Sequence, residues 1–145
     1  MKISRPFKLI LYATLIVLYA AGALNWALHM WFPVDHGFGP EPTVTEIFSL
    51  RVHGLVGMWF LIVFGYLFHS HVFPALQGGR KLKTGYTLLL FVAVLSITTP
   101  GLFYLSVDSY RAIAAWIHTY AGLIAAVPFF VHLLLKTEPL RRRKR

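Results

Sequence analysis

Two pairs of histidines lie within strongly apolar stretches of this chain, where an ionisable side chain is costly unless it lines a cavity or has a partner. His53 and His71 belong to one stretch, and His118 and His132 belong to another. Neutral imidazole nitrogens ligate haem iron, and two facing helices can supply one imidazole each to the same iron. The four residues therefore predict axial ligation of two haems. His53 and His118 would hold an outer haem, and His71 and His132 an inner one.

The spacing within each pair places both members on one face of a helix. His118 and His132 are 14 residues apart, which is two heptads and about 21 Å along a helix. His53 and His71 are 18 residues apart, which is five helical turns and about 27 Å. Each helix would thus present one histidine near each side of a hydrocarbon layer that is ~30 Å thick.

His69 is the alternative to His71 as the inner ligand. On a regular helix it would lie about 160° around the axis from His53, so the spacing favours His71. The two spacings nevertheless differ by four residues. Helix tilt, a kink at Pro128 or a bulge near Gly65 must absorb that difference, and otherwise His69 is the ligand.

Small residues follow two of the histidines by one helical turn. Gly57 follows His53, and Gly122 follows His118, which predicts room for a flat macrocycle between the helices. Ordinary close packing of helices in lipid also uses glycine, so a single glycine of this kind is weak evidence. The repetition of the H-x-x-x-G pattern favours the haem interpretation.

Haem propionates are anionic and call for basic partners at the membrane edge. Arg51 and Arg111 are the candidates for the outer haem. The candidates for the inner haem are Lys136, Arg80 and Lys81. For each of these residues, a solvated charge at the interface is an equally good interpretation.

The elements that position these residues are four apolar segments. The chain is 57% hydrophobic and 13% charged, against roughly 25% charged residues in soluble domains, which excludes an ordinary soluble protein. The segments cover about residues 9–32, 47–73, 86–105 and 112–135, each long enough for a transmembrane helix. We predict an all-α, up-down-up-down four-helix transmembrane bundle that forms a single integral-membrane domain over residues 1–145.

The distribution of charge predicts the topology of this bundle. Twelve of the 14 Lys and Arg residues lie before the first span, between spans two and three, or after span four. The positive-inside rule then places both termini in the cytoplasm. The net charge of +9 is explained by membrane anchoring, so we expect no nucleic-acid partner.

Titratable residues are also concentrated at the opposite, outer end. His29 and His36 lie there with Asp35, Glu41 and Glu46. Solvated side chains are the simpler interpretation. The sharper hypothesis is a quinone pocket beside the outer haem, in which such groups carry the protons of quinone chemistry.

Two other interpretations of the histidines remain. One is a single-haem sensor or carrier in which only His53 and His118 are ligands. The other is a non-redox subunit for metal transport or assembly that binds zinc. The histidine pairs are too far apart along the helices to share one ion, which disfavours zinc. The chain has no cysteine, which removes iron–sulfur clusters and covalently attached haem.

Several short motifs carry a family resemblance. They are L-R-V-H-G at 50–54, H-V at 71–72, R-K-L-K-T-G at 80–85, P-G-L-F-Y at 100–104, and W-I-H at 116–118 followed by His132. With them the chain resembles, over nearly its whole length, the small membrane-embedded b-type cytochromes, a superfamily that includes the cytochrome b anchor subunits of formate dehydrogenases and hydrogenases.

The resemblance implies two haems b ligated at these histidines, with His71 favoured over His69 by the match at H-V. It implies electron transfer between a quinone pool and a periplasmic or membrane redox protein, as a subunit of a larger respiratory complex in a bacterial inner membrane. Quinol oxidoreductase activity would then be expected only together with partner subunits.

Overall fold

The structure, a computed structural model, describes residues 3–35, 40–78 and 83–137. Within them the chain is helical except for a short β ladder. The helices are α1 (Arg5–Trp31), α2 (Val44–Leu67), α3 (Phe73–Gln77), α4 (Lys83–Tyr104) and α5 (Asp108–Thr137). A π turn, Phe68–Val72, joins α2 to α3, so Val44–Gln77 is one continuous helical segment. Strands β1 (Val34–Asp35) and β2 (Pro40–Glu41) pair antiparallel between α1 and α2.

Local sequence explains where these helices begin. Pro6 lies in the first turn of α1, where its fixed φ suits a helix and its missing N–H is not needed. Thr43 caps α2, since its hydroxyl accepts a hydrogen bond from the Glu46 backbone N–H at 3.1 Å. Both helices are therefore anchored at their N-terminal ends by residues that favour helix initiation.

Residues 1–81 and 82–145 form two compact units, and each is a helical hairpin in the part that the structure describes. In the first hairpin α1 packs against α2. The Phe7 ring lies 4.6 Å from that of Tyr66, and Asn25, near the other end of α1, donates to the Glu46 carbonyl at 3.1 Å. These contacts show that α1 and α2 run antiparallel.

In the second hairpin α4 packs against α5. Thr84 near the start of α4 contacts His132, whereas Gly101 near its end lies against Ala114. The two helices are therefore antiparallel as well. Pro100 and Pro128 lie inside α4 and α5 respectively.

The surfaces of both hairpins are strongly apolar. Large aliphatic side chains such as Ile16, Ile62, Ile97 and Val127 are 64–75% exposed, which a soluble protein rarely tolerates over a wide area. The described part of the chain contains four helical segments long and apolar enough to cross a membrane: Arg5–Trp31, Val44–Gln77, Lys83–Tyr104 and Asp108–Leu135. The predictions of an all-helical fold and of a multi-pass membrane protein are confirmed. The single domain over residues 1–145 stays a prediction.

Candidate functional site

His53 is held by the backbone of α1. Its Nδ1 lies 2.9 Å from the Leu18 carbonyl oxygen, and the contact is partly buried. Because a carbonyl oxygen can only accept, Nδ1 carries the proton and donates it to this bond. In a neutral imidazole Nε2 is then the nitrogen with the lone pair, which is the form that a metal ion requires.

His118 is held by a hydroxyl of α4. Its Nδ1 lies 2.9 Å from Thr98 Oγ1. The Thr98 hydroxyl donates its own hydrogen to the backbone of α4, to the Val94 carbonyl at 2.9 Å. When the hydroxyl donates to this carbonyl, Thr98 Oγ1 accepts from His118, and the imidazole then has its proton on Nδ1 and its lone pair on Nε2.

His132 has a similar contact further along the hairpin. Its Nδ1 lies 3.0 Å from Thr84 Oγ1. Thr84 and Thr98 are separated by the same 14 residues as His132 and His118, and on antiparallel helices the two contacts recur two heptads apart. Neither threonine was predicted from the sequence, although this equal spacing is visible there.

The contacts at Nδ1 test whether these residues suit a metal centre. Imidazoles that ligate metals almost always donate their second ring N–H to an oxygen of the surrounding protein, which fixes the ring and raises its basicity. His53, His118 and His132 each have an oxygen partner at Nδ1 in the structure. His53 therefore has the surroundings typical of a metal-ligating imidazole, and the contacts of His118 and His132 with threonine hydroxyls allow the same form of the ring.

The π turn changes the comparison of His69 with His71. Both residues lie within it, and a π turn contains more residues than the 3.6 of an α turn. A uniform period of 3.6 residues therefore does not describe residues 68–72, and the angle between His53 and His71 around the helix cannot be taken from it. His71 is partly buried and His69 is exposed, which favours His71 on a different ground.

The Ser70 hydroxyl bonds to its own helix at the π turn. It donates to the Tyr66 carbonyl at 2.7 Å. Thr98 and Thr99 make the same bond to the residue four positions earlier in the regular helix α4, so this bond does not by itself account for the turn. An irregularity of the kind expected near Gly65 is present, three residues beyond that glycine.

The two glycines of the H-x-x-x-G pattern face the partner helix of their own hairpin. A Cβ built on Gly57 would lie 3.8 Å from Leu18 Cδ1, and one built on Gly122 would lie 3.8 Å from Leu95 Cδ2. These are ordinary van der Waals distances. Helix packing accounts for both contacts, and a role beside a macrocycle stays a prediction.

The basic residues predicted for the propionates lie on exposed parts of the helices. Arg51 is exposed. Arg111 forms an ion pair with Asp108, one turn earlier in α5, and both side chains are at least half exposed. An exposed pair of this kind contributes little stability, so Arg111 could exchange its partner. Arg80, Lys81 and the Lys136 side chain lie outside the described residues.

A polar cluster lies at the end of the first hairpin where α1 ends and α2 begins. His29 Nδ1 is 3.0 Å from Glu46 Oε1, with the Glu46 side chain only 12% exposed and that of His29 68% exposed. Trp26, three residues before His29, has a buried Nε1, and no hydrogen-bond partner for this atom lies among the described residues. Two of the predicted outer titratable residues are thus brought together, whereas His36 lies outside the described residues.

The hydroxyl that holds His118 can be tested directly. Thr98→Val keeps the side-chain shape and removes the acceptor for Nδ1–H. If His118 ligates haem as predicted, its ring then becomes a weaker donor to the iron, and we expect the midpoint potential of that haem to rise by on the order of tens of mV, since ~59 mV is tenfold for one electron. Redox titration followed by visible spectroscopy measures this potential.

Thr99→Val is the matched control, because the Thr99 hydroxyl donates to the Leu95 carbonyl of its own helix. Equal potentials in both variants would contradict the role given to Thr98.

The alternative of a multi-histidine zinc site gains no support from residue clustering, since no three His, Asp or Glu side chains group together within the described ranges.

No protein-family model matches the chain, and neither the curated proteins nor the solved structures include a significant match to it.

Proposed function

We propose that this protein is a di-haem b cytochrome that carries electrons across a membrane between a quinone pool and a redox partner. The observation that carries the proposal is the oxygen partner at Nδ1 of His53, His118 and His132. Any imidazole inside a membrane helix needs a polar partner, and the support for the proposal is that Nδ1 is the ring nitrogen that has this partner in all three residues, as in metal-ligating histidines.

In the proposed arrangement the two hairpins pair into an up-down-up-down four-helix bundle with both termini in the cytoplasm. His53 and His118 then bind the outer haem, and His71 and His132 bind the inner one. The 14-residue spacing in α5 and the concentration of basic residues on one side support this arrangement. When bound, haem b supplies one-electron transfer, and two imidazole ligands leave the iron no open position for oxygen.

The remaining residues have supporting roles in this proposal. Leu18, Thr84 and Thr98 orient the imidazoles through Nδ1, and the apolar helix surfaces exclude water. Glu46 and His29 are proposed to exchange protons with a quinone at the outer end, a role supported by their 3.0 Å contact and by the burial of the carboxylate. Arg51 and Arg111 are the proposed propionate partners.

The protein is proposed to act in the inner membrane of a bacterium as a subunit of a larger respiratory complex. At the proposed outer end four acidic residues, Asp35, Glu41, Glu46 and Asp108, outnumber the two basic residues Arg51 and Arg111. A net negative charge at that end suits the basic face of a periplasmic electron carrier. The ability to oxidise quinol would then depend on the partner subunits.

Counting haem in the purified protein tests the proposal. We expect a dithionite-reduced minus oxidised spectrum typical of b haems, and a pyridine haemochrome assay that gives about two haems per chain. About one haem per chain would support the single-haem alternative. If the protein binds no haem when expressed with ample haem, the cytochrome proposal is wrong, and zinc binding becomes the next assay.

A further inference from the structure

The His53 ring packs against Gly22 of helix α1. A Cβ built on Gly22 would lie 2.7 Å from Cε1 and 2.8 Å from Nδ1 of the His53 ring. A real Cβ does not approach other heavy atoms so closely, so the imidazole occupies the volume that a side chain at position 22 would need. The ring cannot simply turn away, because its Nδ1 is hydrogen-bonded to Leu18.

The missing side chain of Gly22 also exposes the Leu18 carbonyl, which is the hydrogen-bond partner of the ring. Leu18 and Gly22 are four residues apart within α1, so the Leu18 carbonyl points toward Gly22 and accepts its N–H in the helix. A carbonyl oxygen has a second lone pair. In a helix, however, a side chain tilts back over the preceding turn. Only a residue without a side chain at position 22 leaves that lone pair open to an imidazole from α2.

We propose that Gly22 is a positioning residue for His53. Its missing side chain gives the imidazole access to the Leu18 carbonyl, and the resulting hydrogen bond fixes both the ring orientation and the Nδ1-protonated tautomer. The positioning is a property of the first hairpin alone. Its consequence, that Nε2 of His53 ligates haem, rests on the proposed function.

The second hairpin holds its corresponding histidine differently. Nδ1 of His118 contacts the Thr98 hydroxyl. A Cβ built on Gly101, the glycine of α4 nearest that level, would lie 3.2 Å from the Ala114 side chain and not against the histidine. The two proposed ligands of the outer haem therefore have unlike partners, a backbone carbonyl for His53 and a hydroxyl for His118. Gly22 is the residue that makes the first of these possible.

A double-mutant cycle on the full chain tests the contact itself. We expect Gly22→Ala to lower the melting temperature of the detergent-solubilised protein, although alanine in a helix is ordinarily more stable than glycine. In a His53→Ala background the same substitution should raise the melting temperature or leave it unchanged, because the ring is gone. Gly54→Ala is the matched control, since no atom of the described residues would lie within 4 Å of a Cβ there. Equal effects of Gly22→Ala in both backgrounds would overturn the inference.

A second readout follows the haem. With Gly22→Ala we expect the potential and low-spin EPR signal of one haem to shift, or its affinity to fall about 10-fold or more, while Gly54→Ala retains the wild-type values. If wild-type protein holds no haem, the proposed function fails and the melting cycle still decides the role of Gly22. If haem is present and Gly22→Ala changes neither the spectra nor the melting temperature, the role of Gly22 alone is refuted.

Discussion

Replacing His118 with alanine is expected to remove one of the two proposed haems and leave the other in place. His118 is the proposed partner of His53, and its loss leaves the outer iron with a single strong ligand. The haem content should fall from about two to about one per chain in the pyridine haemochrome assay. The reduced spectrum should keep the band of the inner haem.

Two further variants distinguish loss of a ligand from loss of the fold. His29→Ala removes a histidine that is 68% exposed and outside the proposed ligand set, and it should retain both haems. His118→Gly leaves a gap that added imidazole can fill, so imidazole in the buffer should restore part of the lost absorbance. Full retention of both haems in His118→Ala would contradict the assignment of His118.

The choice between His71 and His69 has an expected effect of similar size. We expect His71→Ala to remove the inner haem and His69→Ala to retain it, because His71 is partly buried whereas His69 is exposed. Haem content and redox titration of the two variants measure this difference. The two substituted residues are two positions apart in the same π turn. The opposite result would make His69 the ligand.

Much of the fold could be predicted from hydropathy, because each apolar run became a helix. The predicted ends of the helices were less accurate, because the helices continue for a few residues beyond the apolar runs. The second span was predicted over 47–73, whereas the helical segment is Val44–Gln77. The short ladder between Val34–Asp35 and Pro40–Glu41 was not predicted, because two-residue strands leave no periodic pattern.

The surroundings of the histidines were harder to predict than the histidines themselves. Assigning Thr98 to His118 needs the register of two antiparallel helices, which a sequence does not state directly. The π turn at Phe68–Val72 was also hard to place, because one extra residue in a single helical turn leaves no distinct apolar period in so short a stretch.

The Thr–His contacts of the second hairpin have a consequence for protein engineering. Thr84 with His132 and Thr98 with His118 form two levels separated by a constant translation of 14 residues. Since that translation is a whole number of heptads, both levels lie on one face of the hairpin. They are about 21 Å apart, which already spans most of a ~30 Å hydrocarbon layer. A longer hairpin would place a third imidazole in the aqueous phase, so the thickness of the membrane limits a design of this kind to two levels.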